Sequence, residues 1–137
     1  MRVTFEIPGE PCGKGRPRFT AGGRAYTPAK TAHYENLVKV EYERQCGGHR
    51  FGDGPLRMEI VAYYQIPASA SKTQKALMRE GMRRPTKKPD ADNVLKIIAD
   101  ALNQLAYPDD AQIVSATVTK AYAADDRPCV LVMIEEV

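Results

Sequence analysis

The strongest constraint on the fold is an unbroken alternation: Leu56, Met58, Ile60, Ala62 and Tyr64 take turns with Arg57, Glu59, Val61, Tyr63 and Gln65. Side chains of a strand point alternately to opposite faces, so this run specifies a long strand with one face on a core, ending at Pro67. A half-buried strand needs sheet partners and a covering layer. The partners are legible: Val3, Phe5 and Ile7 alternate with Arg2, Thr4 and Glu6, and two more strands follow at about Gln112 to Tyr122 and Cys129 to Glu135. The last of these is apolar on both faces, which predicts a central position.

The covering layer comes from segments with helical spacing. Tyr34, Leu37, Val38, Glu41 and Tyr42 recur at three- and four-residue steps between a Thr27–Pro28 start signal and Gly47. Ser71 caps a short basic helix running to Gly81, and Arg83 to Lys88 reads as an exposed connector broken by Pro85. A further helix, from about Asn93 to Gln104, buries Val94, Leu95, Ile98, Ala101, Leu102 and Leu105. Residues 8–27, rich in Gly, Pro and Arg and without periodicity, predict a long mobile loop. The expectation is an α+β fold, a small mixed sheet of about four strands with two or three helices. At 137 residues it forms a single domain, 1–137.

The longest apolar run, Cys129 to Ile134, falls far short of the roughly 20 residues a bilayer demands. Three widely spaced cysteines, Cys12, Cys46 and Cys129, predict free thiols in a reducing compartment. The first residues read as a strand, without the order of a secretion signal, so a cytoplasmic location is expected, with no membrane partner.

Net charge is only +3, but its distribution is uneven. Between Pro11 and Tyr34 stand Lys14, Arg16, Arg18, Arg24 and Lys30 with no acid, and from Lys72 to Lys88 seven basic residues, among them Arg83, Arg84, Lys87 and Lys88, face only Glu80. The sign then reverses. Asp90, Asp92, Asp100, Asp109 and Asp110 stand against Lys96 alone. An acidic spot in a basic surround suits a protein that attracts a polyanion and holds cations at one phosphate. Nucleic acid is the natural partner.

The acids bracket the amphipathic helix. Asp90 and Asp92 precede or open it, Lys96, Asp100 and Asn103 share one edge, and Asp109 and Asp110 follow in the Tyr107–Pro108 turn. Hard divalent cations take oxygen ligands, so convergent carboxylates here make a metal site. Taken singly, the same residues read as an N-cap, a solvated loop acid, a turn pair and an exposed helix lysine. The two ends of a helix this long are also separated, so convergence requires the chain to carry the second pair back. Spacing alone leaves both readings open.

The ordered residues Lys88-Pro89-Asp90-x-Asp92-Asn93-x-x-Lys96, then Asp100-Ala101-Leu102-Asn103 and Asp109-Asp110-x-Gln112-Ile113, resemble the RusA family of Holliday junction resolvases. The likeness extends to Gly13-Lys14-Gly15-Arg16-Pro17-Arg18, Tyr26-Thr27-Pro28 and Lys120. It implies a RusA-like fold, a homodimer often encoded by phages or prophages, Mg²⁺ dependence with Mn²⁺ tolerated and no small-molecule cofactor. It also implies resolution of four-way DNA junctions by paired symmetric cleavage in recombination and repair. By this resemblance Asp90, Asp92 and Asp110 are the metal carboxylates and Lys96 the catalytic lysine. Beyond the resemblance, Asp100, Asp109 and Lys120 are expected in supporting positions, and from the charge distribution Lys14, Arg16, Arg18, Arg24, Arg83, Arg84, Lys87 and Lys88 are expected to hold phosphates. The competing classes are a non-catalytic basic nucleic-acid binder, and a metal nuclease acting on flaps, forks or RNA.

Lys120 stands out without any family. It falls in phase with Val114, Ala116 and Val118, the apolar face of the third strand, where an ammonium needs an anionic partner or a route to solvent.

Overall fold

A computed structural model describes residues 1–15, 18–26 and 28–137. Four strands, β1 (Arg2–Pro8), β4 (Leu56–Tyr64), β5 (Ile113–Tyr122) and β6 (Cys129–Glu136), form one sheet in the order β1-β6-β4-β5. The pairings of β6 with β1 and with β4 are antiparallel, and β4 pairs with β5 in parallel. Between them lie α1 (Ala29–Cys46), α2 (Lys72–Arg79) and α3 (Ala91–Leu102). The result is a two-layer α+β fold with a mixed sheet, as the alternations predict, and β6 holds the interior position expected of it.

One sheet face carries Val3, Phe5, Ile7, Met58, Ile60, Ala62, Val130, Val132 and Ile134, all buried against Tyr34, Val38 and Tyr42 of α1 and Val94, Ile97, Ile98 and Leu102 of α3. Removing this apolar area from water is the main driving force for the fold. α1 ends where Gly47 adopts a left-handed conformation at φ 62, a geometry glycine takes without strain. Ser71 caps α2 by accepting a hydrogen bond from the Gln74 amide, as its position predicts. No helix among the described residues is long and apolar enough to cross a membrane. The three cysteines are free thiols.

Several boundaries differ from expectation. The segment read as structureless contains a short hairpin, β2 (Arg18–Phe19) with β3 (Ala25–Tyr26), turned by Gly23 at φ 82. Pro28, expected inside the first turn of α1, occupies its N-cap position, and Thr27 lies outside the described residues. α3 begins two residues earlier than its apolar stripe suggests, because the extended Asp90 is itself the N-cap and its carbonyl accepts the first helical bond from Val94. Pro85, expected in an exposed connector, is buried.

The largest departure concerns β5. It is an edge strand, and its register against β4 skips from Ile113 to Ser115. Val114 is the extra residue of that bulge and is 64% exposed. Beyond it, Ala116, Val118 and Lys120 align with Met58, Ile60 and Ala62, so the expected face is correct. Ala116 nevertheless stays exposed and Val118 half-buried, since a strand at the edge has a neighbour on one side only.

Candidate active site

The head of α3 is held from two directions. On the sheet side, the Tyr64 hydroxyl donates to the Pro89 carbonyl at 2.7 Å and the Lys120 ammonium to the Lys87 carbonyl at 2.6 Å. The same ammonium stands 5.1 Å from the centre of the Tyr64 ring, a cation–π distance. Burial, followed by the charges of Glu10 and Asp90, pushes the Tyr64 phenol up to about 12, so it remains a donor. On the other side Gly13 lies so close that a Cβ there would meet the Pro89 Cβ at 2.9 Å and that of Asn93 at 3.1 Å. The next amide, of Lys14, donates to the Asn93 carbonyl at 3.2 Å. Asp90 is thus presented by a fixed backbone, while its carboxylate makes no capping bond to the helix. Asp92 stands exposed in the first turn. Lys120, expected to need an anionic partner or a route to solvent, is met by a carbonyl and an aromatic ring.

One turn beyond Asp92 lies Lys96, 61% exposed, with its ammonium 3.5 Å from Asp100. Asp100 is shared, since Lys14 reaches it at 3.2 Å and also reaches Glu35 of α1 at 3.3 Å. Burial lowers the Lys14 pKa, but the hydrogen bonds that its ammonium donates to Asp100 and Glu35 outweigh it and leave the ammonium above its usual value. This lysine clips α1 to α3.

At the far end, the Asn103 side chain accepts from the Asp110 amide at 3.0 Å. Asp109 and Gln112 cap the turn reciprocally, the Ala111 amide donating to Asp109 and the Asp109 amide to Gln112. Below them the buried Tyr107 hydroxyl donates to the Ala99 carbonyl at 2.8 Å. The Asp110 carboxyl is pushed above its usual range by burial first and then by Asp109 and Asp100, with Lys96 opposing.

The topology decides which of these groups meet. α3 starts beside Tyr64, at the exit of β4, and its closing turn leads into β5 opposite Leu56, at the other end of the sheet. Twelve residues of helix separate the ends, about 18 Å at 1.5 Å per residue. Asp90 and Asp92 therefore share one end, Asp100, Asp109 and Asp110 the other, with Lys96 between. Among the described residues no group of three or more His, Cys, Asp or Glu side chains is gathered to hold a metal ion.

Of the residues expected at phosphates, Lys87, Lys88 and Arg24 are exposed. Arg83 donates to the Gln74 side chain and Arg84 to the Lys120 carbonyl, so both brace the connector. Lys14 is committed to its two carboxylates. Arg16 lies outside the described residues, as does the side chain of Arg18, whose backbone is in β2. Sequence reasoning missed Tyr64 and Glu35. Tyr64 read as a core residue of an alternating strand, and Glu35 as one more polar position on a helix, so neither carried a local signal.

The family model for endodeoxyribonuclease RusA matches residues 8–135. The chain is also similar to a Bacillus subtilis (strain 168) protein named uncharacterized protein YqaN, with 38% identity over 140 residues covering 98% of this chain and 96% of the relative. The match spans both acid groups, Lys96 and the Gly13–Lys14 segment that braces them, and the chain belongs to the RusA endodeoxyribonuclease family.

Proposed function

We propose that this protein is a divalent-metal-dependent endodeoxyribonuclease that resolves four-way DNA junctions in recombination and repair. The observation that carries the reading is the edge of α3, where Lys96 stands half in solvent between two groups of aspartates on a firmly braced helix. The donor chemistry fits Mg²⁺, or Mn²⁺, because every candidate ligand is a carboxylate oxygen. Mg²⁺ commonly uses one or two protein carboxylates and completes its shell with water and substrate phosphate. Asp90 and Asp92 suit that role at the head of α3, and Asp110 is the third acid of the family pattern. A bound divalent cation supplies charge neutralisation at the phosphate and a lowered pKa for the attacking water.

The chain's own residues supply the rest. Lys96 stabilises the charge that grows on the phosphate as water attacks in line and the 3′ oxygen departs. Asp100 holds the Lys96 ammonium along the helix edge, and Tyr64, Lys120 and Gly13 fix the backbone that presents Asp90. Paired cuts require two active sites related by a two-fold axis, as in a homodimer. The uncharged edge of β5 beyond the Val114 bulge, from Ser115 to Thr119, supports such pairing, since edges without charge or proline invite another strand. Three free thiols accord with a reducing, cytoplasmic setting.

The test is a labelled panel of four-way junction, flap, fork and RNA duplex, each incubated with Mg²⁺ or with EDTA. The reading expects Mg²⁺-dependent symmetric nicks, fastest on the junction. Tight binding of the junction without nicking would make the protein a non-catalytic binder, and faster cutting of flaps, forks or RNA would change the substrate.

A further inference from the structure

Between the Pro11–Gly15 segment, the start of α1 and the start of α3 runs a groove of about 910 Å³, with Cys12, Lys14, Lys30, Lys88, Asp90 and Asn93 among its walls. That volume falls within the range of about 300–1,000 Å³ typical of ligand clefts. Its three lysines are not equivalent. Lys14 is already matched by Glu35 and Asp100. Lys30 and Lys88 are exposed and make no ion pair among the described residues. They come from different elements and face one cavity from two walls. Lys30 sits in the first turn of α1, which carries no acidic residue. Burial raises the Cys12 thiol and the Lys30 ammonium opposes it, consistent with Lys30 lying on the groove side of the helix. Lys88 stands two residues before Asp90, on the backbone that Tyr64 and Lys120 hold in place.

We propose that this groove seats one phosphodiester strand of the DNA substrate, gripped by Lys30 and Lys88, and delivers it to Asp90. Two ammonium groups lining one groove, neither in an ion pair among the described residues, attract a polyanion. The inference rests on the nuclease reading and adds where the strand enters and which lysines hold it. Lys30 acquires a role that neither the acid motif nor its spacing assigns.

The experiment measures anisotropy of a labelled four-way junction in EDTA, where binding is separated from cutting, across salt from about 50 to 200 mM. Lys30→Gln and Lys88→Gln are compared with wild type and with Lys39→Gln, which removes the same charge from an exposed site on α1 outside the groove. Each groove variant is expected to bind about tenfold more weakly and to make the log–log salt slope shallower by about 1. Lys30→Arg should restore the slope, which a folding defect would not allow. Groove variants that match Lys39→Gln overturn the proposal. If they do so while the wild type nicks the junction with Mg²⁺, the nuclease reading stands and the groove assignment alone falls. If the wild type binds the junction but does not nick it, the nuclease reading fails and the slopes still decide the groove. A wild type that does not bind the junction overturns both.

Discussion

Lys96 and Lys120 illustrate how differently two lysines on neighbouring elements are used. Lys96 projects from the helix edge with Asp100 as its one ion-pair partner among the described residues, so its ammonium remains available to a phosphate. Lys96→Met should lower single-turnover cleavage by about 10²–10³-fold, the usual cost of removing a transition-state charge donor, with a much smaller effect on junction affinity. Lys120 donates to the Lys87 carbonyl and stacks on Tyr64, which makes it a brace for the backbone leading to Asp90. For Lys120→Met, faster amide hydrogen exchange across Arg83–Asp90 and slower cleavage are expected together. Unchanged cleavage with unchanged exchange would remove the bracing role. The sequence showed Lys120 to be out of place on an apolar face but could not say what satisfied it, because the partner is a carbonyl 33 residues away and any residue type supplies one.

The elements were legible to the extent that their burial is one-sided. β1, β4 and the stripe of α3 each bury one face, and a period of two or of three to four records that directly. β5 misled because its apolar residues lie at an edge and its register jumps at Val114, which periodicity does not reveal. The Gly13–Gly15 segment misled in another way. Its glycines looked like ordinary loop residues, whereas Gly13 allows a close approach to α3, and a Cβ at Gly15 would meet the Thr31 hydroxyl at 2.6 Å. Gly13→Ala should therefore destabilise the fold by about 1–3 kcal/mol, the range for overpacking. Gly52→Ala, with nothing within 4 Å, should be close to neutral. Thermal melts of the two variants decide it, and equal melting temperatures would mean that the loop gives way without cost.

At the scale of the whole molecule, the family pattern names candidate acids, and the topology shows how they are distributed along α3. Because α3 runs from the exit of β4 to the entrance of β5, residues adjacent in the motif are spread along a helix edge. Their distribution came from strand order, a long-range property absent from local spacing. The same topology leaves the uncharged stretch Ser115 to Thr119 on an open edge. If two copies join there, Ala116→Lys sets like charges against each other and should shift the mass by light scattering from dimer to monomer, with loss of paired cutting. A wild-type monomer at micromolar concentration would remove that surface from the account.

The proposal at stake is that Asp90, Asp92 and Asp110, the acids of the family pattern, are each required for phosphodiester cleavage. It is tested most directly by single-turnover cutting of a labelled four-way junction in Mg²⁺ by wild type, Asp90→Asn, Asp92→Asn and Asp110→Asn, with junction binding measured alongside. The account predicts that each variant still binds the junction and cuts it at least about 10²-fold more slowly. Cutting at the wild-type rate by Asp90→Asn or Asp110→Asn would contradict it.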